Sequence, residues 1–311
     1  MRRKIIKQGQ SYTLTLPKQW IEQVQLQEKD EVTIEEQDLK LIISTQTGPK
    51  PKKRVTLTFT NEDLLEIKPY RWIQRLYSIY YKQGIDEIIF KSKNQDILKY
   101  TEERTSNFIG FEVINRGKDF IEIKDVVGGA SQEFPTILNR AFLIINILAD
   151  ESFALIEKKD FVQLAQLLNI EKTNGKLTDY CKRLLAKDNF PNHNQEKYYY
   201  ALITENERLA DQFKYIIEHI TKNKVTLSPA TKNAYQRINQ LVHLFYESFC
   251  KYNPEKLKDI ARERDVLTAT LKDLMVKVPK KEIFITHCLL NITIALYEIS
   301  EAHLEMNLPS N

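Results

Sequence analysis

Glycine is missing from the last 136 residues of this chain, Lys176 to Asn311, while all eight glycines fall between Gly9 and Gly175. A stretch that long without glycine contains few turns needing positive φ, which points to helices. Cysteine is almost as scarce. Cys181, Cys250 and Cys288 are odd in number, far apart and without metal-ligand spacing, so neither a disulfide framework nor a thiolate metal site is expected, and a reducing cytoplasm suits them. The five histidines, at 193, 219, 243, 287 and 303, stand in no recognisable nucleophile or metal context. No Walker loop, Gly-x-Gly-x-x-Gly, Gly-x-Ser-x-Gly or His-Glu-x-x-His occurs, and the chain is expected not to be an enzyme. Long apolar runs are absent too. The longest predominantly apolar stretch, Ala141 to Ala149, ends at Arg140 and Asp150, too short for a spanning helix. The basic start, Met1 to Gln10, leads into no apolar segment of the secretory kind. The expectation is a cytoplasmic protein without membrane insertion.

Prolines punctuate the glycine-free half at Pro191, Pro229, Pro254 and Pro279, and the intervals have helical length and spacing. Leu202, Leu209, Phe213, Ile216, Ile217 and Ile220 form one apolar face. Ser228 before Pro229 and Asn253 before Pro254 read as helix caps with proline at the first helical position. The spacing predicts about six antiparallel helices over 131–308, two three-helix units in an all-α bundle domain at 130–308.

The first half differs. Short β-prone runs occur at 3–7, 11–16, 31–36 and 39–44, with a hairpin turn at Gln37-Asp38 and a helix start at Pro17. After a basic linker at 48–54, strands are expected at 54–59, 86–91, 109–114 and 119–124, and helices at 69–83 and 95–107. Together they make an α+β middle domain, 55–127. Gly128-Gly129 is read as a hinge into the bundle.

Charge marks the N-terminus. Residues 1–54 hold eleven Lys/Arg against seven Asp/Glu, while the remainder is balanced at thirty-five each, so the whole net charge of +4 sits in the first sixth of the chain. Arg2, Arg3, Lys4, Lys7 and Lys18 precede the first acid, Glu22; Lys50, Lys52, Lys53 and Arg54 close the segment. Such a module suggests an anionic partner, nucleic acid being the commonest. Fewer than fifty residues carrying Ile5, Ile6, Leu14, Leu16, Trp20, Val32 and Ile34 make a marginal core alone, and a second copy would supply the missing face.

These residues carry a resemblance. Lys4-Ile-Ile-Lys-Gln-Gly9, Ser11-Tyr-Thr-Leu-Thr-Leu-Pro-Lys18, Trp20-Ile21 and Lys29-Asp-Glu-Val32 resemble the AbrB/SpoVT-type swapped-hairpin DNA-binding domains. The resemblance implies that two chains interleave hairpins over residues 1–47 and that Arg2, Arg3, Lys4 and Lys7, with Lys18, face duplex DNA. The family usually has Gly-Asp where this chain has Lys29-Asp30, so Lys29 falls at a turn that glycine normally takes.

In the middle domain, helix 69–83 interleaves aromatics with Arg71, Arg75 and Lys82, a composition able to stack on and neutralise nucleic acid. The favoured reading makes Trp72, Ile73, Leu76, Ile79 and Tyr80 core and leaves the basic residues solvated.

In the bundle, Glu207 and Asp211 are i, i+4 and share a face, with Glu218 on roughly the same stripe. Carboxylates so spaced on a bundle helix suit a metal site. The segment Glu205 to Glu218 resembles a PhoU-domain helix through Glu207, Arg208, Asp211, Ile216 and Glu218. Some such domains hold iron or zinc, which would make Glu207 and Asp211 the ligands. Here Tyr215 replaces the family's asparagine, Asn291 and Ile294 stand where a second motif would have Arg and Asp, and Asn174 and Arg183 replace its acidic helix, so no cofactor is expected. The order of parts is similar to that of archaeal PhoU-type phosphate uptake regulators. That resemblance implies a dimeric, multidomain α+β transcriptional regulator of phosphate uptake and homeostasis. Its DNA-binding module is N-terminal, and its bundle senses or relays the signal. The alternative is a PhoU-like interaction protein that acts on a phosphate transporter's ATPase or a sensor kinase without binding DNA.

Overall fold

The structure, a computed structural model, describes residues 2–37, 40–45, 52–60, 69–128, 131–187 and 195–308. The chain is a multidomain α+β protein whose N-terminal strands precede a long helical region. It divides into two compact units, Met1–Lys52 and Lys53–Asn311. The turn residue Asp38, the first part of the linker (48–51), Gly129, Pro191 and His193 lie outside the described residues.

The first unit holds two antiparallel hairpins around one short helix. Strand β1 (Ile6–Gln8) pairs with β2 (Ser11–Thr13), α1 spans Lys18–Val24, and β3 (Thr33–Gln37) pairs with β4 (Lys40–Ser44). Gly9, first in the two-residue loop between β1 and β2, has φ of 65°, the conformation such tight hairpin loops require at that position. The expected strands at 3–7 and 11–16 are shorter than periodicity suggests, because among the described residues neither hairpin has a third strand to extend its ladder.

The second unit begins with a four-stranded sheet of order β5-β6-β8-β7, formed by β5 (Arg54–Thr58), β6 (Glu87–Lys91), β7 (Phe111–Arg116) and β8 (Phe120–Asp125). Strands β5 and β6 are parallel and joined through α2 (Pro69–Lys82). Helix α3 (Gln95–Thr105) starts at Asn94, whose side chain accepts the Asp96 amide. Strand β8 is antiparallel to both its neighbours, with an irregularity in β7 between Val113 and Asn115. A β-carbon on Gly117, in the β7–β8 turn, would run into the Phe120 ring, so the turn needs glycine for close approach.

Arg54, where the expected linker and the expected strand overlap, opens β5 and pairs with Glu87 and Glu122 across the sheet. One expectation changes here. In α2 the buried stripe is Ile73, Tyr77 and Tyr81, at i, i+4 and i+8, and Trp72 is 46% exposed. The helical period therefore sits one residue away from the predicted face. Both tyrosine rings pack among Phe90, Phe108 and Phe111, and both hydroxyls find partners, Tyr77 on Thr105 and Tyr81 on the Ile109 carbonyl. That satisfaction is what lets them displace the larger tryptophan from the core.

After a 3-10 turn at Ser131–Glu133 come six helices: α4 (Phe134–Lys158), α5 (Phe161–Ala186), α6 (Glu196–Asn223), α7 (Pro229–Cys250), α8 (Pro254–Lys277) and α9 (Lys280–Asn307). Helices α4, α5 and α6 pack mutually, as do α7, α8 and α9, and the two triples join through α6 on α9 and α4 on α7. The caps are as the sequence indicates: Ser228 accepts the Thr231 amide, and Asn253 those of Glu255 and Lys256. The predicted face of α6 is wholly buried. Counting uninterrupted apolar runs misses α9, which is long and apolar enough to cross a membrane, at mean hydropathy 1.5. In the fold it is a core helix, with Leu289, Ile292, Leu296 and Ile299 inaccessible to solvent.

Sheet layer and bundle share one hydrophobic core, and a buried cation joins them. Arg183 of α5, 1% exposed, donates to the carbonyls of Tyr81 and Ile85 and to the Asp125 carboxylate at 2.7 Å. The middle and bundle segments, separated as 55–127 and 130–308 by sequence, therefore meet in one unit across this contact.

Candidate nucleic-acid interface

No described residue of the first unit is buried. Ile5, Ile6, Tyr12, Leu14, Ile34, Leu41 and Ile42 are all exposed, and α1 buries nothing. Ile5, Leu14, Leu16, Trp20, Leu41 and Ile43, with Arg3, line an open groove of about 580 Å³. Fully burying one such aliphatic side chain is worth about 1.5–3 kcal/mol, so a surface of this kind favours association.

The five predicted basic residues are all exposed. Arg2, Arg3 and Lys4 lie on the segment entering β1, Lys7 lies in β1 opposite Tyr12, and Lys18 opens α1. Arg2, Arg3, Lys4 and Lys7 thus follow one another along the chain into the first hairpin. Arg3 differs from the others in lining the apolar groove. Lys18 stands apart, 3.6 Å from Glu22 in an exposed pair. Lys29 has φ of 78°, so the turn keeps the left-handed geometry that glycine would favour and lysine adopts it.

The carboxylates of α6 are committed to ion pairs. Lys182, nearly buried on α5, places its ammonium 2.6 Å from Glu207. Lys214 bridges Asp211 at 2.8 Å and Glu171 at 3.4 Å. Burial alone would lower the Lys214 pKa, but the two carboxylates outweigh it and raise it. Burial raises the Glu171 pKa in spite of Lys214. An ammonium stands where a cation would sit on each predicted ligand, an arrangement that does not fit iron or zinc. Among the described residues no three His, Cys, Asp or Glu side chains gather as ligands would. Asn174, in place of the acidic residue, is fully buried and donates to Asn206 and to the Ala141 carbonyl. Sequence reasoning missed Arg183 as a structural centre. Its partners, Asp125 and the carbonyls of Tyr81 and Ile85, lie 58 to 102 residues away in sequence, so no local spacing announces it.

Comparison with known proteins bears on the first unit and the start of the second. The family model for MazE, described as an antidote-toxin recognition bacterial antitoxin, matches residues 5–57. No curated protein and no solved structure matches the chain. The match supports an N-terminal module of the AbrB/SpoVT type and is consistent with a DNA-binding regulatory module.

Proposed function

We propose that this chain is a dimeric DNA-binding transcriptional regulator of phosphate uptake. The first unit of two chains would form one module that binds duplex DNA, and the helical region would sense or relay the signal. The observation that carries the reading is the first unit itself: a basic stretch that enters the first hairpin and an open apolar groove lined by the same unit, in the span matched by the MazE model. A second copy seated on the groove would provide the absent core, most simply about a two-fold axis. From the matched family the proposal takes the module, not a toxin partner. The word phosphate rests on the resemblance of the whole chain to PhoU-type regulators, and a cytoplasmic location follows from a DNA partner. The second reading, a PhoU-like partner of a phosphate transporter's ATPase or of a sensor kinase, is supported by the division of the helices into two mutually packed triples.

Fluorescence anisotropy of duplexes from the organism's own upstream regions, over a salt series, separates the two. About four basic contacts per chain allow a dimer to neutralise up to about eight phosphates, giving a log–log salt slope between about −4 and −7. Lys7→Ala should weaken all sequences alike, and Arg3→Ala should also relax selectivity if Arg3 reads a base edge. A full chain that binds no duplex at low salt removes the DNA reading and leaves the interaction protein.

A further inference from the structure

Helix α2 contains no carboxylate in its fourteen residues, and its buried stripe of Ile73, Tyr77 and Tyr81 turns Arg71, Trp72 and Arg75 outward. Its C-terminal half is covered by α5, through Ser78 on Asp179 at 3.2 Å and Lys82 near the same carboxylate at 3.5 Å. The N-terminal half is different. Arg71 and Arg75 are exposed and make no hydrogen bond or ion pair with a described residue. They are one turn apart, a rise of about 6 Å along the axis. Trp72, between them in sequence, is 46% exposed and stacks on no other described aromatic ring. The neighbouring rings are already committed: Tyr70 stacks on Tyr100 at 4.5 Å, and Arg104 lies over Tyr100.

We propose that Arg71, Trp72 and Arg75 form a second nucleic-acid site, one that takes a single strand. The charge complementarity is with a polyanion, because two guanidiniums with no ion pair among the described residues stand on a helix that carries no acid of its own. The indole, half-exposed and stacked on no described ring, selects the class of polyanion. A stacking platform requires a base whose face is open, which a single strand offers and a paired duplex does not. The arginines hold successive phosphates while the indole takes the base between them. An acidic polypeptide would satisfy the arginines and leave the indole unused.

The chain has two tryptophans, Trp20 and Trp72, so Trp20→Phe leaves Trp72 as the sole indole reporter in the full-length protein. Short oligothymidylate should quench Trp72 emission. Arg71→Glu/Arg75→Glu in the same background keeps the emission and abolishes the quenching, and both side chains are exposed, so the fold is not at stake. Trp72→Ala should weaken oligothymidylate binding about tenfold or more, read by anisotropy of a labelled strand. Lys4→Ala/Lys7→Ala, which disables the proposed duplex interface, should leave Trp72 quenching intact, so the two sites fail independently. No quenching by oligothymidylate overturns the proposal. Equal quenching by a duplex of the same length, or by polyglutamate, overturns it as well, the latter outcome making the face one for an acidic protein.

Discussion

The two units of this chain solve opposite problems with similar residue types. The second unit places its aliphatic and aromatic side chains in one continuous core and satisfies even a buried arginine from within. The first has comparable apolar side chains, in Ile5, Leu14, Trp20, Leu41 and Ile43, and none of its described residues is buried. Two separate hairpins and a seven-residue helix cannot enclose a volume. On the proposed reading a second copy supplies the stability of the first unit, while stability of the second is local.

Dilution should break this contrast most visibly. In Trp72→Phe protein, Trp20 reports the first unit alone. Its emission should change completely as concentration falls from high micromolar to low nanomolar, while far-ultraviolet circular dichroism, dominated by the helices, stays nearly constant. A Trp20 signal independent of concentration would show that the first unit folds as a monomer. Next in size is Arg183→Ala. Removing the cation takes from Asp125, whose side chain is 5% exposed, one of two ionic partners, Lys187 remaining at 2.6 Å, and it strands the two carbonyls that Arg183 holds. A loss of about 2–4 kcal/mol is expected in urea denaturation of the helical transition. A loss below about 1 kcal/mol would mean that water reaches Asp125 freely.

The helical half was legible because its signals are local. Absence of glycine, prolines after capping residues and a 3.6-residue period fix α6, α7 and α8 without reference to anything distant. The assignment of Trp72 to the core failed for a non-local reason: hydroxyl partners on α3 and after it, Thr105 and Ile109, make two tyrosines the better buried pair. The basic residues of the first unit were readable as a cluster. Arg3's place on the groove depends on β4, which contributes Leu41 and Ile43, and no short motif reports it. Glu207 and Asp211 were readable as sharing a face, but the lysine that claims Glu207 comes from another helix.

Acid should separate the units next. Burial by itself would raise the Asp125 pKa, but hydrogen bonds from Arg183, Lys187 and the Gly128 amide hold it at about 2. The folded value lies below the unfolded one, so the stabilisation is complete above about pH 4 and is lost as pH falls through about 2. The shift corresponds to about 2 kcal/mol in the second unit. Asp125→Asn should remove most of that acid limb from the helical transition. An unchanged limb would assign the acid sensitivity to other carboxylates.

The smallest expected effect lies in the first unit. Lys29 holds φ of 78°, where a β-carbon crowds the backbone at a cost of about 1 kcal/mol. Lys29→Gly relieves that crowding, and the greater freedom of glycine in the unfolded chain takes back part of the gain. The net expectation is a stabilisation of about 0.5 kcal/mol, confined to the concentration-dependent Trp20 transition and absent from the helical one. Lys29→Ala removes the same charge and keeps the β-carbon, so it should give no gain. If glycine and alanine act alike, the change comes from the lost ammonium, and the turn is not strained by lysine. If glycine instead stabilises the helical transition, the two units are coupled through this turn, and the division between a self-sufficient unit and a dependent one no longer holds.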